Sequence, residues 1–286
     1  MLGRFGRDAG SLLGVEIASD SVRILQLQGR HGRRSVGAWA LEPFESPEGG
    51  WATRPDVVAG ALRRAWHRSG SRQRQAAVAL PASEVICKVC RLPAGLSEAE
   101  MEAQLLVEAE RLFPFPLQDL ALDFQELEPA AGQAGEARVL VGACRQQSLA
   151  PLEEVLGSAG LQPVAVEVDS IALARTLPAG DGSPALLRIE PDCAVLHGWP
   201  EPGLPQRTTL RLLASEDRSL AAERVAQWLR SALSLALCKP LLVAADEGWV
   251  DALSEQLGMP CTVFQPFTRC EPSLVLALGL AMGDAR

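Results

Sequence analysis

The chain has 286 residues, a net charge of −8 and hydrophobic residues at 48% of its positions, so it can form two domains with a substantial core. The acidic balance argues against general nucleic-acid binding. No apolar run reaches the roughly 18–20 residues of a membrane-spanning helix, and the N-terminus lacks a signal-peptide core, so we expect a cytoplasmic protein.

The first 80 residues are predicted to form four strands and one helix. Apolar runs separated by short polar turns predict three successive strands, and apolar residues at helical spacing then predict a helix before a buried strand. The strands are Leu12–Ile17, Val22–Leu27, Ser35–Leu41 and Ala76–Leu80, and the helix is Pro55–Ser69.

A smaller α/β segment is predicted between residues 82 and 160. Ser97 and Glu100 form a capping box of the type S-x-x-E, and the helix it opens ends before Pro114. Gly160 suits the left-handed position after a second helix. The segment reads strand Val85–Leu92, helix 97–113, strands Ala121–Leu127 and Arg138–Cys144, and helix Ser148–Ala159.

The rest of the chain repeats the plan of the first half, with strands followed by alternating helices and strands. A strand at Val164–Val168 and a helix at Ser170–Leu177 precede a linker at Pro178–Pro184, which marks the main boundary. Beyond it the predicted strands are Leu186–Ile189, Ala194–Trp199, Thr208–Leu213, Leu241–Ala244 and Thr262–Phe264, and the helices are 219–237, 250–257 and 272–282. Two such halves, with a small α/β insertion in the first, predict an α/β fold of the actin/Hsp70 (ribonuclease-H-like) class.

Two stretches of the sequence resemble motifs of one family with this fold. Residues 14–23, GVEIASDSVR, resemble the opening phosphate-loop motif of PilM, an actin-like assembly protein of type IV pili. Residues 108–125, EAERLFPFPLQDLALDFQ, carry the Phe-Pro-Phe-Pro stretch before an acidic strand that is a hallmark of that family. On these motifs the chain is identified as a shortened, divergent member of the PilM family.

The resemblance implies a division into residues 1–180, with an inserted subdomain at about 82–160, and residues 181–286. Because the strand at 208–213 passes almost directly into the helix at 219, the second domain lacks the upper subdomain of its relatives, which we expect to leave the cleft open.

The family resemblance also implies a partner, the N-terminal tail of a PilN-like inner-membrane protein, alongside other pilus assembly proteins. The protein would then lie at the cytoplasmic face of the inner membrane and contact the membrane only indirectly. The tail is expected in a groove between the main part of the first domain and its insertion, and it could add to the sheet edge of the insertion. Candidate groove residues are Val85, Val89, Phe113 and Phe115.

Only remnants of an actin-type nucleotide site are present. Glu16, Ser19, Ser21 and Asp169 stand where relatives keep phosphate- and magnesium-binding groups. The second phosphate turn has no glycine and contains Pro191, which cannot donate an N–H, and residues 242–247 lack the glycine pair that admits adenosine. We therefore expect no bound cofactor, neither ATP nor magnesium, and no enzymatic activity.

Other interpretations stay open at this stage. One is a divergent actin-like ATPase, and another is the cytoplasmic domain of a type II secretion L-type or competence scaffold, which would continue into a membrane helix. Cys87 and Cys90 form a CxxC, but residues three apart on a strand point to opposite faces, so no metal site is expected. No nucleophile-elbow motif is present, although a Ser/His/Asp group formed in the fold cannot be judged from sequence.

Overall fold

A computed structural model describes residues 11–29, 34–46, 48–127, 135–178, 185–201, 204–213, 215–232, 241–267 and 270–283. The strands are β1 Leu13–Ile17, β2 Ser21–Gln28, β3 Ser35–Pro43, β4 Gln75–Leu80, β5 Ile86–Pro93, β6 Leu120–Leu127, β7 Glu136–Arg145, β8 Gln162–Val168, β9 Ala185–Ile189, β10 Cys193–Glu201, β11 Leu204–Arg211, β12 Leu241–Ala244 and β13 Cys261–Val263. The helices are α1 Pro55–Ser69, α2 Glu98–Leu112, α3 Ala150–Ala159, α4 Asp169–Ala174, α5 Arg218–Ala232, α6 Glu247–Leu257 and α7 Val275–Met282. His31, residues 179–184 of the predicted linker and the predicted helical residues 233–237 lie outside the described residues.

The first lobe is a five-stranded sheet in the order β3-β2-β1-β4-β8. β1 pairs antiparallel with β2 and parallel with β4, which is the strand arrangement of an actin-type half. Helices α1 and α3 pack on the sheet and on each other through fully buried side chains such as Leu62 and Leu156. The predicted β-meander followed by a helix and a buried strand is confirmed in this lobe, and the structure adds that this strand is parallel to β1.

The inserted subdomain consists of β5, α2, β6 and β7, with its strands in the order β5-β7-β6. The predicted capping box is present: Ser97 accepts a hydrogen bond from the Glu100 backbone N–H, and the Glu100 carboxylate accepts one from the Ser97 N–H. Helix α2 covers one face of this sheet. The insertion is shorter than the predicted 82–160, because α3 packs in the core of the first lobe rather than with the inserted sheet.

The second lobe is another five-stranded sheet, ordered β11-β10-β9-β12-β13, with a core formed largely against α5 and α6. The antiparallel pair β9–β10 and the parallel pair β9–β12 repeat the arrangement seen in the first lobe. Both halves therefore have the same strand plan, as the sequence pattern predicted.

The last helix, α7, returns from the second lobe to the first. It packs against β1, β2 and α4, so the first sheet is covered on both faces. The close approach of α7 to β1 and α4 depends on two glycines. A Cβ at Gly14 of β1 would clash with the Ala277 carbonyl oxygen of α7, and a Cβ at Gly279 of α7 would clash with the Ala172 carbonyl oxygen of α4. Within the described residues, no helix is long and apolar enough to cross a bilayer.

Substituting Gly279→Ala should separate α7 from α4, because the added methyl group has no room against backbone atoms. We expect a loss of about 1–3 kcal/mol in the free energy of unfolding, typical of overpacking. The matched control is Gly157→Ala on α3, where an added Cβ meets nothing within 4 Å. Since alanine favours helix over glycine, that variant should gain up to about 1 kcal/mol. Urea denaturation measures both, and equal stability of the two variants would contradict the tight α4–α7 contact.

Candidate functional site

The turns that would hold phosphates in an actin-type site contact each other across the cleft. Ser19 lies in the turn between β1 and β2, and Asp192 lies in the corresponding turn between β9 and β10. The Ser19 hydroxyl donates to the Asp192 carboxylate over 2.9 Å. The two turns are therefore bonded directly, where a nucleotide site would need space for phosphate between them.

Four charged side chains with little solvent exposure join the lobes just behind these turns. Arg188 of β9 donates to Glu16 of β1 and, over 2.7 Å, to Glu190. Arg23 of β2 donates to the two carboxylate oxygens of Glu190 over 3.0 and 2.5 Å, and its guanidinium lies 3.5 Å from Glu16. We call these four residues the cleft ion network. Two of its members come from the first lobe and two from the second.

The cleft ion network is electrically neutral and almost inaccessible to water. Side-chain exposure is 5–6% for Arg23, Arg188 and Glu16 and 12% for Glu190. Burial alone would raise the pKa of Glu190, but the guanidinium groups of Arg188 and Arg23 outweigh it and hold that pKa below its ordinary value. Burial opposes the charge of Arg188 as well, yet Glu16 and Glu190 raise its pKa. Each charged group is thus stabilised by an opposite charge in the other lobe.

The predicted nucleotide-site residues have other partners in this structure. Glu16 is paired with arginines, and the Ser21 hydroxyl donates to the neighbouring Asp20 carboxylate over 2.9 Å. Asp169 belongs to a different cluster, and no hydrogen bond or ion pair in the described part of the chain links it to Glu16. The cleft ion network and the Ser19–Asp192 bond close the floor of the cleft, whereas the opening expected from the missing upper subdomain stays a prediction.

A cavity of about 670 Å³ lies beside the network, at the carboxyl ends of β9 and β12. This size is ordinary for a small-molecule site, and the position is where open α/β sheets bind ligands. Its charged lining residues are Arg23, Glu190, Glu216, Arg218, Asp246 and Glu271. Both arginines already bind carboxylates, with Arg218 3.1 Å from Asp246. Among the described lining residues, acids outnumber arginines by four to two, which disfavours a polyphosphate.

Asp169 ties together three parts of the molecule. It is the first residue of α4, it is buried, and it accepts a 2.9 Å hydrogen bond from the backbone N–H of Ala82, where the chain enters the inserted subdomain. Its second oxygen lies 3.1 Å from the Arg207 guanidinium on β11 of the second lobe. The carboxylate therefore fixes the root of the insertion to both lobes.

The fold also brings Ser170 and His197 next to Asp169. The Ser170 hydroxyl lies 2.8 Å from His197 Nδ1 and 3.1 Å from the Asp169 carboxylate. This order places serine in the middle, whereas nucleophilic catalysis needs the imidazole between the serine and the acid. Ser170 and His197 are fully buried, and burial together with Arg188 and Arg207 lowers the pKa of His197 well below its ordinary value. The group is a buried polar support with a neutral imidazole.

The four candidate groove residues fall on different surfaces of the insertion. Phe113 and Phe115 pack in the core beneath α2. Val89 lies on the opposite face of the inserted sheet, where its cross-strand neighbour is Leu140. Val85 contacts the core of the first lobe. Val89 and Val85 therefore lie on the side of the inserted sheet that α2 does not cover, with Val85 next to Gly142 at the junction with the first lobe.

That uncovered surface, the groove face, has a glycine at its centre. Gly142 of β7 is flanked by Cys87 of β5 and Asp123 of β6. A Cβ at Gly142 would meet only Val85 within 4 Å, at 3.6 Å. Because Gly142 has no side chain, the middle strand forms a low strip between its neighbours. Such a strip can accept the side chains of an extended segment.

Within the described residues, no group of three or more His, Cys, Asp or Glu side chains is placed to hold a metal ion. Burial raises the pKa of both Cys87 and Cys90, so the two thiols are protonated at neutral pH. A thiol in that state is a poor metal ligand.

Sequence reasoning missed the residues that close the cleft. Arg23, Arg188, Glu190 and Arg207 are not among the residues that the sequence predicts for a site. The sequence does indicate that these charges occur in pairs. Arg188 and Glu190 are two residues apart at a strand end, so they share a face of the sheet. Glu16 and Arg23 lie opposite each other on paired strands. Nothing in the sequence showed that the two pairs meet.

The chain is similar to known proteins over its whole length. The family model described as "Type IV pilus assembly protein PilM" matches residues 14–180. A solved structure of a PilM–PilN type IV pilus biogenesis complex matches with a TM-score of 0.71 at 23% identity, covering 95% of this chain and 98% of that one. The ethanolamine utilization protein EutJ from Carboxydothermus hydrogenoformans gives 0.57 at 15% identity, with 96% and 90% covered. The cytoplasmic domain of EpsL, an inner-membrane component of the Vibrio cholerae type II secretion system, gives 0.51 at 16% identity, with 96% of each chain covered.

Replacing Arg188 by methionine should leave Glu16 and Glu190 with one shared cation in a buried site. Breaking a buried ion pair in this way costs about 3–5 kcal/mol in the free energy of unfolding. The control is Arg54→Met, because the Arg54–Asp56 pair is more than half exposed and should contribute nothing measurable. Chemical denaturation of both variants decides the point. A loss for Arg188→Met no larger than that for Arg54→Met would show that the cleft ion network does not hold the lobes.

Proposed function

Because this chain belongs to the PilM family of type IV pilus assembly proteins, we propose that it holds the N-terminal tail of a PilN-like inner-membrane protein on its groove face. The observation that carries the proposal is the uncovered sheet surface with Gly142 at its centre. A similar chain was solved as part of a PilM–PilN complex, which supports the same kind of partner here.

The groove face suits a short extended peptide. Half-buried Val89 supplies an apolar contact, and the missing side chain at Gly142 leaves room beside it. In the described part of the chain, β6 pairs only with β7, so its outer edge has backbone groups free to pair with an added strand. Backbone pairing would give affinity, and the strip at Gly142 would select the side chains that fit.

Charge complementarity supports the cytoplasmic tail of a membrane protein as the partner. The edge strand β6 carries exposed Asp123, with Glu126 on its other face, whereas cytoplasmic segments beside membrane helices are enriched in Lys and Arg. A basic tail would be attracted to this acidic edge and would place the protein at the cytoplasmic face of the inner membrane. In this proposal the membrane association is indirect and runs through the tail.

The scaffold is proposed to work without nucleotide. The cleft ion network joins the two lobes directly, which supports a scaffold whose lobes are held together by its own side chains and not by a bound Mg-nucleotide. The residues present do not fit a triphosphate, because the cavity lining is acidic and Ala244 and Ala245 replace the glycine pair. Neither ATP nor magnesium is therefore assigned a part, and the protein is proposed not to be an enzyme.

Filling the low strip should block the tail. A Gly142→Leu variant places a branched side chain between Cys87 and Asp123, and we expect at least a tenfold loss of affinity for a fluorescein-labelled peptide of the PilN-like tail. The same substitution at exposed Gly157, Gly157→Leu on α3, is the control and should leave the affinity unchanged. Fluorescence anisotropy gives both values. Unchanged affinity of a folded Gly142→Leu protein would place the tail elsewhere.

Isothermal titration of the protein with Mg-ATP should show no binding tighter than about 1 mM, because Arg23, Arg188 and Arg218 are already neutralised by carboxylates. Titration with the tail peptide in the same buffer is the positive control. Saturable binding of Mg-ATP in the micromolar range would overturn the nucleotide-free proposal while leaving the tail proposal standing.

A further inference from the structure

The outward side of α2 carries apolar residues that the fold does not use. The inward residues Met101, Leu105 and Ala109 are buried against the inserted sheet. On the other side, Val107 is 83% exposed and Leu106 is 43% exposed. These two neighbours are among the few large apolar side chains that the described surface leaves open to water.

Helical spacing extends these two residues into a stripe. Residues three or four apart share a helix face. The side of α2 away from the sheet therefore carries five exposed residues, which are Ala99, Ala103, Leu106, Val107 and Glu110. We call this set the α2 outer face. The alanines at its N-terminal half have no bulky side chain, which allows a second helix to approach closely. The α2 outer face is therefore shaped for helix-on-helix packing.

The stripe lies in an acidic setting. Helix α2 contains five glutamates and one arginine, and the arginine, Arg111, pairs with Glu108 within the same helix. Exposed Glu102 and Glu100 lie on either side of the α2 outer face. Two copies of this face would set glutamates against glutamates, and an anionic lipid surface would be repelled as well. The charge pattern selects a basic partner.

We propose that the α2 outer face is a docking surface for a basic amphipathic helix of a second protein. Its apolar stripe would cover Leu106 and Val107, and its Arg or Lys residues would pair with Glu100, Glu102 and Glu110. The surface lies across the inserted sheet from the groove face, so the helix and a tail peptide can be bound at the same time. This inference does not depend on the tail or on its position.

The test uses three synthetic 18-residue helical peptides and the full chain. One peptide has a leucine stripe flanked by arginines, the second has the same stripe flanked by glutamates, and the third is a scrambled version of the first. Fluorescence anisotropy should show binding of the first peptide only, at least tenfold tighter than the scrambled peptide and weakened by added salt.

Matched substitutions locate the binding. The double change Leu106→Gln with Val107→Gln keeps helix-favouring residues at exposed positions, so the fold is retained, and it should weaken binding of the arginine peptide at least tenfold. The control is Leu220→Gln, at a leucine of α5 that is 48% exposed, which should change nothing. Charge is tested by Glu102→Gln with Glu110→Gln, which should reduce the salt dependence.

Several results would overturn the proposal. These are equal binding of the arginine and scrambled peptides, or binding that the double variant leaves unchanged. Sedimentation velocity showing a dimer that the double variant dissociates would mean that a second copy occupies the face. Binding to anionic vesicles that the double variant abolishes would mean that lipid occupies it instead.

Discussion

The arrangement of the two lobes depends on four buried charges. Glu16 and Arg23 belong to the first lobe, Arg188 and Glu190 to the second, and each guanidinium contacts carboxylates of both lobes. Separating the lobes would leave these charges without their partners, which makes hinge opening costly. An actin-type ATPase instead leaves this space to a nucleotide and its metal ion, whose binding and release change the closure of the cleft. Here the protein's own side chains form ion pairs between the lobes.

Two further contacts reinforce this closure and extend it to the insertion. Helix α7 packs beside α4 on the first sheet, and Asp169 links the entry to the insertion with Arg207 of the second lobe. The buried Ser170–His197 pair supports the same junction from behind. A partner bound to the insertion would thus contact a body whose parts are held in a fixed relation, which suits a scaffold better than a motor.

The insertion presents two surfaces of different character on opposite sides of one small sheet. The groove face offers a strip at Gly142 and an open strand edge, which fit an extended chain. The α2 outer face offers exposed Leu106 and Val107 among glutamates, which fit a basic helix. Because the sheet separates them, each can be occupied without displacing the other, and a small subdomain can connect two proteins.

The sequence by itself determined the elements and the fold class. Apolar periodicity, the Ser97–Glu100 capping box and the left-handed Gly160 are local signals, so nearly every strand and helix that the structure describes was predictable within a few residues. Motif similarity gave the family, and the loss of glycine beside Pro191 indicated a damaged nucleotide site. The tertiary structure alone decided which charged groups pair between the lobes, because Glu16 and Arg188 are 172 positions apart and meet only when two separate sheets pack. It also decided that α3 belongs to the first lobe and that Phe113 and Phe115 are core residues, since such assignments depend on which apolar face meets which, and local pattern does not encode that.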